Sequence, residues 1–249
     1  MKIVAMIPAR LGSKRVIKKN LRLINGKPLI SYITQSVKKS NTFDEIYINS
    51  ESEIFKEIAG NHGVKFYKRN DSLATDSANN EDFLTDFLEN IKCDYLIQLL
   101  PTSPLVTSDE IKAFNKHLVT GKCDTLVSVN NHKIACLYKG SPINFSFTET
   151  HKSSQTMAPV QSYTTVLMGW KREIYLENIK NLGCGYHGGN GKTEYFELKG
   201  LANIDIDNEE DFQPAEVAIK LREGNNKFEK LYYDDMKGGS VEVDVPSIR

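Results

Sequence analysis

The sequence predicts an α/β fold in which helices surround a largely parallel sheet. Two observations carry that expectation. Short apolar runs alternate with segments whose apolar residues recur every three or four positions, the pattern of successive strand–helix units. The first strand also empties into a basic loop, and the carboxyl edge of an open parallel sheet is where ligands gather. At 249 residues the chain can hold one large domain, or a domain with an excursion, around a sizeable core.

The elements follow in order. Residues 3–7 (Ile-Val-Ala-Met-Ile) are apolar and stopped by Pro8, as in a buried parallel strand. A helix is expected over 28–39, where Pro28 suits a first turn, then strand 45–49, helix 53–61 and strand 65–67. Helix 80–91 is entered from a polar loop in which Ser77 or Asn79 can cap. Strand 95–99 precedes helix 108–118, which starts well at Ser108: its hydroxyl can cap while Asp109 and Glu110 meet the positive dipole end. Strand 125–129 closes the regular half.

Residues 131–163 break the rhythm, being polar, rich in Ser, Thr and Lys, and interrupted by Pro142 and Pro159. They are expected to form an inserted arm, with 1–130 and 164–222 as the main domain and 223–249 as a tail with few apolar anchors. A helix pattern resumes after Lys171, residues 184–191 form a glycine-rich turn, and 202–206 supply a sixth strand candidate. Asn208 is a natural cap for a final helix whose first turn carries Glu209, Glu210 and Asp211. No GxGxxG follows the first strand, which disfavours a dinucleotide fold.

Lys+Arg and Asp+Glu both number 32, so no global field recruits nucleic acid or an anionic membrane surface. No run approaches about eighteen apolar residues, and no secretory leader is evident. Cys93, Cys123, Cys136 and Cys184 are widely spaced without a CxxC, as free thiols of a reducing compartment would be. A cytoplasmic protein is expected.

Charge is asymmetric locally, and that is where chemistry is expected. After the first strand come Arg10, Gly12, Ser13, Lys14, Arg15, Lys18 and Lys19: cations to neutralise a polyphosphate, a hydroxyl to donate, and a glycine to let the backbone approach. Far along the chain, Ile204-Asp205-Ile206-Asp207 alternates, so on a strand both carboxylates share one face and can reach one hard cation, Mg²⁺ or Mn²⁺ in preference to zinc. Thr102 and Ser103, held between Pro101 and Pro104, make a stiff hydroxyl-bearing loop at the same sheet edge as Arg10. The polar loop 69–80 can read a base edge. The five histidines follow no HxxxH or HExxH spacing, and no nucleophilic triad emerges.

Taken in order, these motifs resemble the cytidylyltransferases that activate acidic sugars, most closely the N-acylneuraminate branch. IPARLGSKRVIKKN at 7–20 is similar to that family's phosphate loop, NGKPL at 25–29 to its next turn, LATDS at 73–77 to its base loop, LPTSPL at 100–105 to its central hydroxyl loop, and IDID at 204–207 to its metal strand. The likeness covers residues 2 to about 218. It implies a Rossmann-like three-layer nucleotidyltransferase fold with a mainly parallel sheet and a small dimerisation excursion.

It further implies that Arg10, Ser13, Lys14 and Lys19 grip the triphosphate of CTP, with Arg10 and Lys19 offsetting charge at the α-phosphorus. Asn20, Arg69, Ser77, Ala78 and Asn80 would surround ribose and cytosine. Asp205 and Asp207 would hold the metal, making Arg10, Lys19 and Asp207 the catalytic set. The product would be a CMP-linked acid plus pyrophosphate, and the protein a homodimer.

On the acceptor side the chain departs from the family. Leu100 stands where Gln is usual, Val106 where Arg is usual, and Val166-Leu167-Met168-Gly169 replaces an Asn-Gly turn preceded by Arg. CTP activation is therefore expected with more force than sialic acid itself. Lys133, Lys139, Lys152 or Lys171 could supply an anion partner in place of the usual residues. A phosphorylated or phosphonate acceptor is the alternative, and a non-catalytic CTP-binding regulator the third reading.

Overall fold

The computed structural model describes residues 1–224. The main sheet has seven strands. In chain order, β1 spans Ile3–Pro8, the short pair β2 and β3 spans Leu23–Ile24 and Lys27–Pro28, and β4, β5 and β6 span Glu45–Ser50, Lys65–Lys68 and Tyr95–Leu99. β7 follows at Thr125–His132, the small hairpin β8 and β9 at Leu137–Tyr138 and Ser141–Pro142, then β10 at Val160–Lys171 and β11 at Thr193–Glu197. The helices are α1 (Leu29–Ser40), α2 (Ile54–His62), α3 (Asn80–Asn90), α4 (Ser108–Thr120), α5 (Arg172–Leu182) and α6 (Glu209–Glu223).

Across the sheet the order is β11-β7-β10-β6-β1-β4-β5. Every neighbouring pair is parallel except those that β10 makes with β6 and β7. Both faces are covered, as continuous apolar strands require. One face buries Ala5, Ile7 and Ile48 against Ile33, Val37 and Phe55; the other buries Val4, Met6 and Leu96 against Leu84, Phe87 and Trp170. The expected mainly parallel, three-layer α/β architecture is therefore present.

Local chemistry sets the helix starts. Asn79 accepts from the Asp82 N–H while Asp82 accepts from the Asn79 N–H, a reciprocal cap that fixes where α3 begins. Thr107, not Ser108, caps α4, because its hydroxyl meets the Glu110 N–H and the Glu110 carboxylate reaches back; Ser108 is the first helical residue. Asn208 and Asp211 make the same box at α6, so Glu209, Glu210 and Asp211 do sit in its first turn.

One expectation needs correction. Residues 202–206 are not a strand: Gly200–Asn203 is a 3₁₀ turn and 204–207 are extended but pair with no strand. The alternation persists in burial, with Ile206 inaccessible and Asp205 exposed, so the pattern marks a buried face and not a ladder. At the edges of the expected arm, β7 continues to His132 and β10 begins at Val160, the two pairing from Val160–His132 to Tyr163–Val129 as the arm's antiparallel stem. The last described helix, α6, ends at Glu223, and the expected tail lies, from residue 225 on, outside the described residues. β10 and β11 have no counterpart among the expected strands.

Candidate active site

A cavity of about 620 Å³ opens at the carboxyl edge of the sheet. Its wall combines the loop after β1 (Arg10, Ser13, Lys14, Arg15, Lys19, Asn20), the segment around 69–80 (Arg69, Ala78, Asn80), Leu100 to Thr102 after β6, Thr165 of β10, and Asp205 with Asp207. Five motifs far apart in sequence thus meet in one place, and five cations face three carboxylates there.

Each side chain is placed by a local bond. Ala9 N–H donates to Asn49 O, tying the start of the basic loop to the end of β4. Glu51, just past β4, accepts from Leu11 N–H at 2.7 Å through one oxygen and from the Arg69 guanidinium at 3.2 Å through the other. Arg69 is 3% exposed and lies over the Phe83 ring, 5.1 Å from its centroid. Burial pulls its guanidinium below the ordinary value, and the Glu51 carboxylate opposes that shift. Asn20 donates to Arg10 O at 3.3 Å while its buried side-chain oxygen has no protein partner, an acceptor left for a ligand.

Asp205 and Asp207 reach the cavity without a strand because Ile206 N–H donates to Thr102 O at 2.9 Å, docking their segment on the hydroxyl loop. Ser103 is fully buried behind it and donates to Asp205 at 3.4 Å. Lys19 donates to Ile206 O at 2.8 Å and pairs with Asp207 at 3.2 Å; Arg15 pairs with the same oxygen at 2.9 Å. On the opposite side of the cradle Asp76 pairs with Lys14 at 2.7 Å and Arg10 at 3.4 Å, and Lys14 first, then Arg10, hold its carboxyl below the ordinary range. The cations are thus gathered and lightly held by carboxylates, a configuration that an incoming polyanion can take over.

Two oxygen donors on one short segment fit a hard divalent ion, which takes one or two carboxylates together with substrate phosphates. Among the described residues, no three or more His, Cys, Asp or Glu are grouped so as to hold a metal ion.

Of the expected residues, Arg10, Ser13, Lys14, Lys19, Asn20, Arg69, Ala78, Asn80, Thr102, Asp205 and Asp207 line the cavity. Gly12, Lys18, Ser77 and Ser103 do not. Gly12 has no positive φ and open space where a side-chain carbon would stand, so neither conformation nor crowding demands glycine there. Lys18 is exposed, with its carbonyl turning the chain into the Leu21 and Arg22 N–H groups. Ser77 bonds the Thr75 hydroxyl, and Ser103 acts from behind Asp205.

Of the three departures, one lies on the cavity wall and two do not. Leu100 is on the wall. Val106 is fully buried, and Val166, Leu167 and Met168 are core residues of β10. Gly169 is crowded by Leu118 and Phe114. Those positions are fixed by packing, and none of Lys133, Lys139, Lys152 or Lys171 lines the cavity. Sequence reasoning missed Glu51, Phe83 and Thr165. Glu51 sits just past β4 with its partners far off in sequence, and Phe83 is hidden in a helix-face pattern; the signal for Thr165 is the run of β-branched residues Thr164-Thr165-Val166.

Comparison with known proteins agrees with this arrangement. The cytidylyltransferase family model matches residues 4–167. The chain is 28% identical to the N-acylneuraminate cytidylyltransferase of Escherichia coli over 91% of its own length, but spans only 53% of that relative, about half the length, as with other curated relatives it matches. It is 31% identical to post-translational flagellin modification protein B of Campylobacter coli, covering 88% of this chain and 95% of that one. Among solved structures, CMP:2-keto-3-deoxy-manno-octonic acid synthetase in complex with CTP superposes with a TM-score of 0.65 over 89% of this chain and 100% of that one, at 14% identity, a likeness of fold. With two thirds of its length matched and the basic loop meeting the paired aspartates at one sheet edge, the chain belongs to the cytidylyltransferase family.

Proposed function

We propose that this protein transfers the cytidylyl group of CTP to an acidic sugar of the nonulosonic, sialic-like class. The observation that carries the reading is the meeting of Arg10, Lys14, Arg15 and Lys19 with Asp205 and Asp207 in one cavity, between a pocket at Arg69 and Phe83 and a wall at Leu100 and Thr165. Family membership supports it, and so does the name of the sialate-activating relative.

In this mechanism Arg69, Asn20, Ala78 and Asn80 hold the nucleoside, and Arg10, Ser13, Lys14 and Lys19 hold the triphosphate. An acceptor oxygen attacks the α-phosphorus in line; its bond to phosphorus forms as the bond to the bridging oxygen breaks, and the electron pair leaves with pyrophosphate. Arg10 and Lys19 offset the charge that builds on the α-phosphate oxygens, which is where fixed cations lower a barrier most. Mg²⁺ or Mn²⁺, held by Asp205 and Asp207, supplies charge neutralisation and alignment of the phosphates. Ser103 keeps Asp205 in place, and the Asp207 contacts of Lys19 and Arg15 keep that carboxylate at the phosphate end.

A phosphorylated acceptor is less well supported, because the wall beyond the phosphates offers Leu100, Pro101 and Thr165 and no further cation. The arm carries exposed Ile134, Leu137, Tyr138, Ile143 and Phe147, and its covering by a second copy is the basis for a homodimer. No described helix is long and apolar enough to cross a membrane.

The test is pyrophosphate release from CTP over a panel of nonulosonic, phosphorylated and phosphonate acceptors, with Asp207→Asn beside the wild type. Turnover is expected with a nonulosonic acid and CTP only. Asp207→Asn should abolish it while CTP affinity stays within about tenfold, or 1.4 kcal/mol. An unchanged rate removes the metal assignment, and equal turnover with UTP removes the base assignment.

A further inference from the structure

β10 is broken where it crosses the cavity. Its pairing with β7 runs from Val160 to Tyr163 opposite His132 to Val129, and resumes only at Met168 opposite Val127, so extra residues bulge out between. At the crest is Thr165, with a φ of +53°. A β-branched residue in the left-handed region is a true outlier, and such strain persists only where its surroundings impose it.

Here they do. Ser128 in β7 holds both sides of the bulge, sharing a 2.7 Å hydroxyl bond with Thr164 and accepting from Leu167 N–H at 3.0 Å. Leu100 N–H, from the loop after β6, donates to Val166 O at 3.0 Å. The result is that Thr165 alone, of the residues in β10, faces the cavity.

Sheet order says what it faces. The nucleoside pocket at Arg69 lies beyond β4 and β5, and the triphosphate cradle follows β1; β6 and β10 come next on the other side. Strands are about 4.8 Å apart, so β10 stands roughly 10 Å from β1, the reach of a sugar ring placed beyond the α-phosphate. The Thr165 hydroxyl donates to Thr164 O at 2.8 Å, leaving its oxygen lone pairs to accept. We propose that Thr165, pushed out by the β10 bulge, is an acceptor-specificity residue that takes a hydrogen bond from an O–H or amide N–H of the acidic sugar, and does not bind its carboxylate. This rests on the cytidylyl-transfer reading.

The experiment compares wild type, Thr165→Gly and Thr165→Ser. Glycine removes the hydroxyl and accepts the positive φ, so its melting temperature should not fall. The KM for the acceptor should rise about three- to tenfold with the KM for CTP unchanged, the size of one lost hydrogen bond. Thr165→Ser should restore the acceptor KM. A merely structural threonine would instead give a lower melting temperature with both KM values unmoved. An unchanged acceptor KM in Thr165→Gly overturns the proposal, as does a parallel rise for CTP. Saturation-transfer NMR of the free acid, with CTP absent, separates this from the parent reading. Weaker binding to Thr165→Gly supports Thr165 even if no acid is turned over, equal binding overturns it, and no binding to the wild type overturns both.

Discussion

Replacing Glu51 tests whether the basic loop after β1 and the pocket at Arg69 are held as one unit. The carboxylate is 14% exposed and its partner Arg69 3%, and one oxygen serves Arg69 while the other serves Leu11 N–H. Glu51→Ala strands a buried guanidinium, for which the usual cost is about 3–5 kcal/mol. The cavity beside Arg69 lets water reach part of it, so the low end, about 3 kcal/mol, applies. Losing the Leu11 bond adds about 1 kcal/mol. At about 2–4 °C per kcal/mol for a chain of this size, the melting temperature should drop by roughly 8–16 °C.

Glu51→Gln separates the two parts, since its amide oxygen can keep Leu11 but not the charge, and about 3 kcal/mol of the loss should remain. Differential scanning fluorimetry gives the melting shift, and calorimetric titration of CTP should show affinity about tenfold weaker, because Arg69 and the loop after Arg10 both lose their anchor. A Glu51→Ala protein melting within about 2 °C of the wild type, by this same scale, would show that Arg69 finds another partner and that the two halves are not joined through Glu51.

Two further outcomes follow from the charges. Asp76→Asn releases Lys14 and Arg10 for the triphosphate, so CTP should bind about two- to fivefold more tightly at low salt, with the gain fading near about 0.5 M salt; tighter binding that ignores salt would contradict the ion-pair account. Glu45 is held by Lys65 and Lys2 at 2.5 and 2.9 Å, Lys65 foremost, and its carboxyl is depressed from 4.5 to about 2. A depressed carboxyl stabilises the fold above its unfolded value and loses that contribution as pH falls through the folded one, so melting curves should steepen their decline between about pH 4.5 and 2, and Glu45→Gln should flatten that window.

Much of the site was legible because its residue types are local and strong. A basic loop after an apolar strand and paired aspartates near the chain's end need no tertiary information to be noticed, and their meeting is what the sheet edge then supplies. Apolar runs mark β1, β4, β6 and β7 because those strands bury most of their residues on both faces. β10 escapes because a third of it, Val160 to Tyr163, is a polar arm stem, while Val166 to Gly169 read as an acceptor turn although Val166 to Met168 are core. The segment 202–206 misleads in the opposite sense: alternation marks which side chains are buried, and only backbone partners decide whether that makes a strand. Glu51 is invisible for a third reason, since its bonds to Leu11 and Arg69 are long-range and leave no spacing in the sequence.

The position of β10 also governs the order in which the molecule can be built. It is inserted between β6 and β7, so β7 and β11 join the rest of the sheet only through it. As the chain emerges from synthesis, β1, β4, β5 and β6 can assemble early, but β7 has no neighbour until Val160 to Tyr163 arrive, and β6 keeps an open edge until Leu167 to Lys171 follow. Closure therefore waits for a strand some seventy residues downstream of β6, and a chain cut within β10 would present that bare edge to other molecules.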